Sequence, residues 1–263
     1  MKIGGCQIPV TRDIKKNADE IKKAIDWAAS QGVDMLLTPE CSLSGYVWAA
    51  LAPTDPDVIT LARELGSVVK YAKEKGVDIA IGTSGGGMCK TGPAWYNQLK
   101  FYVDGELVHT HNKMMLTKDE PYYPGEELKT FVYKGIVCAG LICNDLWVCG
   151  YQRPGDAGKL AGLMAEQKVQ LCFLAAYAPR IPHDPDYFYT WSDIHIQTYS
   201  RQAGYTIAVV DSATQQDGSE YNNKTGTPSG IFEGGPEGRG WLVKTDPSGT
   251  QYYSYELDIK AYE

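Results

Sequence analysis

The run Ile136-Val-Cys-Ala-Gly-Leu-Ile142 has no polar face. A strand of that kind needs cover on both sides, and parallel strands lying between layers of other elements receive it. The run leads directly into Cys143, with Asn144 and Asp145 after it and a helical pattern resuming at about Asp156. A thiol at the end of a buried strand stands at the carboxyl edge of a sheet, where α/β proteins carry their chemistry. The chain holds seven cysteines, so position alone does not mark a nucleophile.

The rest of the chain repeats this grammar. Met1–Pro9 reads as a strand, and Asn17 with Glu20 reads as a cap followed by a helix carrying Ile21, Ile25 and Ala28 on one face, closed by Gly32. Val33–Pro39 is a second strand with Glu40 just past its end. Asp55-Pro56 opens a helix to about Lys75 with Ile59, Leu65, Val69 and Ala72 inward. Val77–Thr83 is a third strand, and Gly85-Gly-Gly87 reads as a flexible loop. A hairpin follows, turning at Asp104-Gly105, with Lys113 at the end of its second strand. Thr130–Tyr133 pairs with Ile136–Ile142, a helix spans about Asp156–Lys168, and Val169–Ala176 is again a strand. Ser192 caps a helix to about Ala203, Tyr205–Val210 is a strand, and the remainder forms β-hairpins with a turn at Asp246-Pro-Ser-Gly249. Each half is thus strand–helix–strand–helix–strand followed by antiparallel strands. With no linker between the halves, the expectation is one domain over 1–263, in which two mixed sheets pack face to face under outer helices.

Charge and cysteine usage narrow the function. A net charge of −7 without a basic block gives no footprint for nucleic acid. No apolar run approaches the roughly 20 residues of a membrane helix, and the strand-like N-terminus has no signal-peptide apolar region. The odd cysteine count, irregular spacing and absence of CxxC fit reduced thiols in the cytoplasm. His109-x-His111 is the nearest approach to a metal motif, and two ligands on a strand do not make a site, so no metal or cofactor is expected.

Glu40, Lys113 and Cys143 each terminate a predicted strand, so sheet topology brings them to one edge. Their chemistry is complementary. A thiol needs its proton removed, and a carboxylate is a general base for that. A lysine ammonium stabilises an oxyanion on a carbonyl carbon under attack, and the N–H of Asn144 is a second donor.

At this point the chain resembles the carbon–nitrogen hydrolase, or nitrilase, superfamily. The resemblance rests on Leu37-Thr-Pro-Glu40 with Leu43-Ser-Gly-Tyr46, on Tyr96-Asn97 before a hairpin ending in His111-Asn-Lys-Met-Met-Leu116, on Gly140-Leu-Ile-Cys-Asn-Asp145, and on Ser200-Arg-Gln-Ala-Gly-Tyr205. It implies a catalytic set of Glu40, Lys113 and Cys143. It also implies a second glutamate, placed on Glu120 within Glu120-Pro-Tyr-Tyr-Pro-Gly125 and not on Glu126 or Glu127. For the fold it implies a four-layer αββα sandwich, and for assembly a homodimer or higher homo-oligomer with helices of the second half at the interface.

The implied activity is a cysteine amidohydrolase that cleaves a non-peptide C–N bond of a small linear amide through a thioester. Loop aromatics, Tyr46, Tyr122, Trp147 and Tyr177 among them, suit a partly apolar pocket. Cys-Asn-Asp resembles the nucleophile motif of N-carbamoyl amino-acid hydrolases, but Leu146-Trp147 replaces the arginines of that branch, and the nearest arginines are Arg153 and Arg180. Other readings stay open: an N-carbamoyl amidohydrolase, a retired family member that binds a metabolite, and a glutaminase partner of a separate synthetase. Cys6, Cys138 and Cys172 read as core thiols, Cys41 as well placed but without a motif, and Arg201 as an internal ion-pair residue.

Overall fold

The structure is a computed structural model that describes residues 1–46, 56–117, 120–147, 159–181, 184, 186–214 and 224–259. Chain order runs β1 (Lys2–Gln7), α1 (Ile14–Ser30), β2 (Met35–Leu37), α2 (Pro56–Lys75), β3 (Asp78–Cys89), β4 (Gly92–Val103) and β5 (Glu106–Asn112). It continues through β6 (Thr130–Tyr133), β7 (Ile136–Ile142), α3 (Asn144–Trp147), α4 (Lys159–Glu166), β8 (Leu171–Ala175), α5 (Tyr187–Ala203), β9 (Thr206–Val210), β10 (Gly230–Glu233), β11 (Gly240–Lys244) and β12 (Gln251–Glu256).

Two six-stranded mixed sheets result, ordered β12-β1-β2-β3-β4-β5 and β11-β10-β9-β8-β7-β6. Each has a parallel centre, β1-β2-β3 in one and β7-β8-β9 in the other, flanked by antiparallel strands. The parallel strands are the apolar runs of the sequence, and β8 and β9 are buried throughout. One core joins the sheets: Ile3, Leu37, Ala80 and Phe101 from the first meet Leu141, Phe173 and Val209 from the second, and Leu160, Met164 and Ile196 extend it under α4 and α5. A second core fills the space between the first sheet and the helices α1 and α2, with Ile21, Ile25, Val68 and Ile79. These layers are the expected αββα sandwich, and its logic is burial on both faces of each sheet.

Several local expectations are corrected. Helix α1 is capped by Asp13, whose Oδ1 accepts from Lys15 N and Lys16 N. Asn17 lies inside the helix, buried, accepting from Thr11 N and donating to Thr11 O and Leu43 O. Ser192 also lies inside its helix, α5, which starts at Tyr187, and its hydroxyl donates to Gly226 O. Gly85-Gly-Gly87 is part of β3, paired with Tyr96, Trp95 and Ala94 of β4. Ile59 is 63% exposed, and Leu61 and Val68 face inward instead. The Asp246–Gly249 turn does not join a hairpin. It carries the chain from β11 in one sheet to β12, which pairs with β1 in the other, and Gln7 Nε2 holds it by donating to Asp246 O and Gly249 O. Arg201 is exposed with its guanidinium 5.2 Å from the Phe232 ring centre, and no carboxylate among the described residues pairs with it. Among the described residues no helix is long and apolar enough to cross a membrane, and no cluster of three or more His, Cys, Asp or Glu is placed to hold a metal.

Candidate active site

Glu40, Lys113 and Cys143 follow β2, β5 and β7, so two of them come from one sheet and the third from the other. The sheets are joined where these ends meet, as Glu40 N donates to Ala176 O, just past β8, while Cys143 N extends the β7–β8 ladder of its own sheet by donating to Ala175 O. The Lys113 backbone is fixed on both sides, its N–H donating to Asn97 O and its carbonyl accepting from Gly125 N.

The side chains form a closed polar cluster. Lys113 Nζ donates to Glu40 Oε1 at 2.8 Å and to Glu120 Oε1 at 2.5 Å, with all three side chains essentially inaccessible to solvent. Asn97 Nδ2 donates to the same Glu40 oxygen at 2.7 Å. The Tyr46 hydroxyl donates to Glu120 Oε1, and Thr117 N donates to Glu120 Oε2. Glu40 Oε2 is buried and has no hydrogen-bond partner among the described residues. An unpartnered buried carboxylate oxygen is costly, which makes this atom the natural acceptor for a proton brought into the site.

Cys143 sits at φ 46°, in the left-handed region, where the chain turns from β7 into α3. A residue other than glycine held there costs on the order of 1 kcal/mol or more, and such strain gathers at functional sites. Its sulfur accepts from the Tyr177 N–H and feels the charges of Glu40, Lys113 and Glu120. Burial pushes the thiol well above its ordinary range, the Glu40 charge adds to this, and Lys113 with the Tyr177 amide opposes it. Burial raises Glu40 too, and the Glu120 charge raises it further against the pull of Lys113. Burial acts to lower Lys113, but the surrounding carboxylates more than offset that and hold the ammonium well above its usual range. The cluster therefore holds a charged lysine between two acids and keeps the resting sulfur protonated.

Cys41 also has a positive φ, 52°, and is fully buried. Its sulfur lies 3.6 Å from Asn97 Oδ1 and 3.9 Å from the Tyr122 hydroxyl, and burial raises its thiol above the ordinary range, with the Glu40 charge adding to this. Tyr46 stacks on Tyr177 at 5.0 Å and meets Tyr122 edge-on at 6.4 Å, so these three rings wall the Glu120 side of the cluster. Trp147 closes α3, and its side chain lies outside the described residues, as do Trp48, Cys149 and Arg153. Asn144 Nδ2 donates to Met115 O and Leu116 O, joining the nucleophile turn to the segment after Lys113.

Three features escape the sequence reading. Asn97 is quoted in a motif there but given no role, although alternation along β4 does place it on the buried side with Leu99. Asp145 accepts from Met114 N, Met115 N and Ile142 N and lies against His111 Nε2. A small cavity against Cys143 is lined by Ala178, Pro179, Phe188 and Trp191 together with Thr117, Asn144 and Ser192. Nothing local in the sequence marks Phe188 or Trp191, because only the packing of α5 onto this sheet edge brings them there.

Arg180 is not free to serve as a carboxylate clamp. Its guanidinium is buried, donates to the carbonyls of Ala178, Ser212 and Lys224, and lies 3.6 Å from Asp211 Oδ2. Asp211 in turn accepts from the amides of Ala178, Ser212, Gly226 and Thr227.

Comparison with known proteins follows the same lines. An amidase of Nesterenkonia AN1 from the nitrilase superfamily superposes with a TM-score of 0.76 at 18% identity, covering 98% of this chain and 90% of that one. The glutamine-dependent NAD+ synthetase of Acinetobacter baumannii superposes with a TM-score of 0.69 at 18% identity, covering all of this chain and 47% of that one. In sequence, the chloroplastic omega-amidase of Arabidopsis thaliana is 34% identical over 116 residues, 43% of this chain, which spans about a third (31%) of that relative's length. The carbon–nitrogen hydrolase family model matches residues 2–176, from the first strand through Glu40, Lys113 and Cys143 to the end of β8, and the chain belongs to that family.

Proposed function

We propose that the chain is a cysteine amidohydrolase that cleaves the C–N bond of a small linear amide and releases ammonia or an amine. The observation that carries this is the shared Lys113 Nζ, bound at once to Glu40 and Glu120 beside the Cys143 thiol. A general base, an oxyanion donor and a nucleophile meet in one buried cluster. The reading also rests on the family, on the omega-amidase relative, and on the Nesterenkonia amidase, which in one form carries the acetamide moiety of fluoroacetamide at its active-site cysteine.

In this scheme Glu40 Oε2 takes the Cys143 proton as the sulfur attacks the carbonyl carbon. The Lys113 ammonium and the Asn144 N–H stabilise the oxyanion. Glu40 returns the proton to the amide nitrogen, the C–N bond breaks, and a thioester remains on Cys143. Water then loses a proton to Glu40 and attacks the thioester, and the departing sulfur recovers that proton as the acid leaves. Glu120 keeps Lys113 aimed and, with Glu40, shapes the field around the attacking water. Formation of the thiolate coincides with attack, because a free thiolate is unfavourable in this buried setting.

A single domain over 1–263, a homo-oligomeric state and a cytoplasmic setting complete the proposal. The core shared by both sheets supports the first, and the free state of Cys6, Cys41, Cys89, Cys138, Cys143 and Cys172 supports the last. Size-exclusion with light scattering tests the oligomer. Ammonia release from amides, N-carbamoyl amino acids and nitriles tests the activity, with Cys143→Ala as the folded control. Turnover of amides that is lost in Cys143→Ala is the expected result. Turnover of carbamoyl compounds alone, or full activity in Cys143→Ala, overturns the scheme.

A further inference from the structure

We propose that the site selects short, uncharged acyl groups, and that Phe188 and Trp191 of α5 set the length it accepts. This rests on the amidase reading above and names its substrate class. The cavity against Cys143 holds about 40 Å³. A water molecule needs roughly 10–15 Å³ on this measure, so the space takes about three small atoms. An acyl group bonded to the sulfur through its carbonyl carbon therefore has room for a chain of about two or three further carbons.

The wall facing Cys143 is apolar. Ala178, Pro179, Phe188 and Trp191 supply the apolar lining, alongside Thr117, Asn144 and Ser192. Each methylene that enters such a space gains about fourfold in binding until the space is filled. A carboxylate at the far end of the acyl chain has the opposite fate: among the described residues no cationic side chain lines the cavity, and burying a charge against these groups is strongly unfavourable. Arg180, next to Pro179 in the chain, commits its guanidinium to three carbonyls and Asp211.

The wall is also braced. Phe188 meets Trp191 edge-on at 6.3 Å, the His195 ring lies 4.1 Å from the Trp191 ring, and His195 Nδ1 lies 2.7 Å from Trp191 O. Ser192 beside them donates to Gly226 O and accepts from the Thr227 hydroxyl, and Gly226 and Thr227 are themselves held by Asp211. A longer acyl chain that stays within the cavity meets this braced helix face, so length is penalised beyond the fill point.

The test is a kcat/KM series on the full chain with acetamide, propionamide, butyramide, hexanamide and glutaramate. For the wild type the expected maximum falls at propionamide or butyramide, with hexanamide and glutaramate each at least tenfold lower. Trp191→Ala and Phe188→Ala should each raise hexanamide relative to acetamide by at least tenfold. Ala178→Leu, which narrows the same space, should move the maximum to acetamide and serves if the aromatic deletions do not fold. A wild-type preference for hexanamide or glutaramate, or profiles that stay parallel in the folded variants, overturns the length filter while leaving amide hydrolysis intact. Absence of turnover on every amide, with no acetamide adduct on Cys143 after exposure to fluoroacetamide, overturns the underlying amidase reading itself.

Discussion

His111 Nε2 lies 2.7 Å from Asp145 Oδ2, and through this contact the strand that leads into Lys113 is tied to the turn that carries Cys143. The same carboxylate accepts from Ile142 N on one oxygen and from Met114 N and Met115 N on the other. Asp145 thus aligns two strand ends that belong to different sheets.

Asp145→Ala leaves those buried amide donors without an acceptor. Each such loss costs about 1–3 kcal/mol, though neighbouring losses do not add. The thermal midpoint should fall by roughly 5–10 °C. Turnover should fall at least tenfold, since small displacements of reacting groups are expensive. Asp145→Asn keeps one acceptor oxygen and should lie between. Calorimetry and initial rates on the two variants check this, and a wild-type midpoint in Asp145→Ala would remove the alignment role.

The pH profile carries a signed expectation. Burial and the Glu120 charge raise Glu40 above its ordinary value of 4.5, and the base must be ionised to act. The acid limb of kcat/KM therefore lies above that value. Glu120→Gln removes the like charge, so the limb should move to lower pH even as the rate falls. The same shift predicts stability. The folded state binds the Glu40 proton more tightly than the unfolded chain, so stability falls as pH rises from 4.5 through the raised value, and Glu40→Gln should flatten that slope. An acid limb that moves upward in Glu120→Gln, or does not move, contradicts this electrostatic account.

How much of this was legible in the sequence follows from how local each signal is. The strand ends at Glu40 and Cys143 could be read because an apolar run of strand length closes at a polar residue, and burial on both faces writes that pattern plainly. Lys113 was legible instead from the Asp104-Gly105 hairpin turn, which sets the length of its mostly unburied strand. The start of α1 was misplaced because Asn17 and Asp13 offer the same capping chemistry about one turn apart. Only the tertiary demand of Thr11 and Leu43 for the Asn17 amide decides between them. The glycine run at 85–87 reads as a loop on propensity, yet pairing with β4 holds it extended. Phe188 and Trp191 carry no local mark of the cavity they wall, because that placement is a property of helix packing.

Thiol labelling should follow the local environment of each cysteine. Hydrogen bonding to Thr91 holds the partly exposed Cys89 thiol below its ordinary value of 9.0. Burial pushes Cys138 up to about 12 and raises Cys6 and Cys172 as well. Iodoacetamide at neutral pH should therefore modify Cys89 before these three, as read by peptide mass spectrometry. Cys89→Ser should leave turnover within about twofold of wild type, since it lies away from the Glu40–Lys113 cluster. Early labelling of Cys138 or Cys172 in the folded protein would show that the sandwich opens more readily than its packing implies.

The position of Glu40 depends on a glycine in the neighbouring strand. A Cβ at Gly82 would lie 1.9 Å from Pro39 O and 3.0 Å from Cys41 N, the two residues that flank Glu40. The approach is this close because the β3 backbone cradles the turn: Gly82 N donates to the Thr38 hydroxyl, and Gly82 O accepts from Leu43 N and from the Ser42 hydroxyl. Gly82→Ala must push the turn away, at about 1–3 kcal/mol for an overpacked core. Glu40 should then lose its registry with Lys113, and turnover should fall at least tenfold with a lower thermal midpoint. Gly86→Ala is the matched control in the same strand. Its added methyl would meet only the Trp95 ring, at 3.4 Å, so both rate and midpoint should stay close to wild type. Equal behaviour of the two variants, measured by initial rates and calorimetry, would show that the Gly82 contact does not set the place of Glu40.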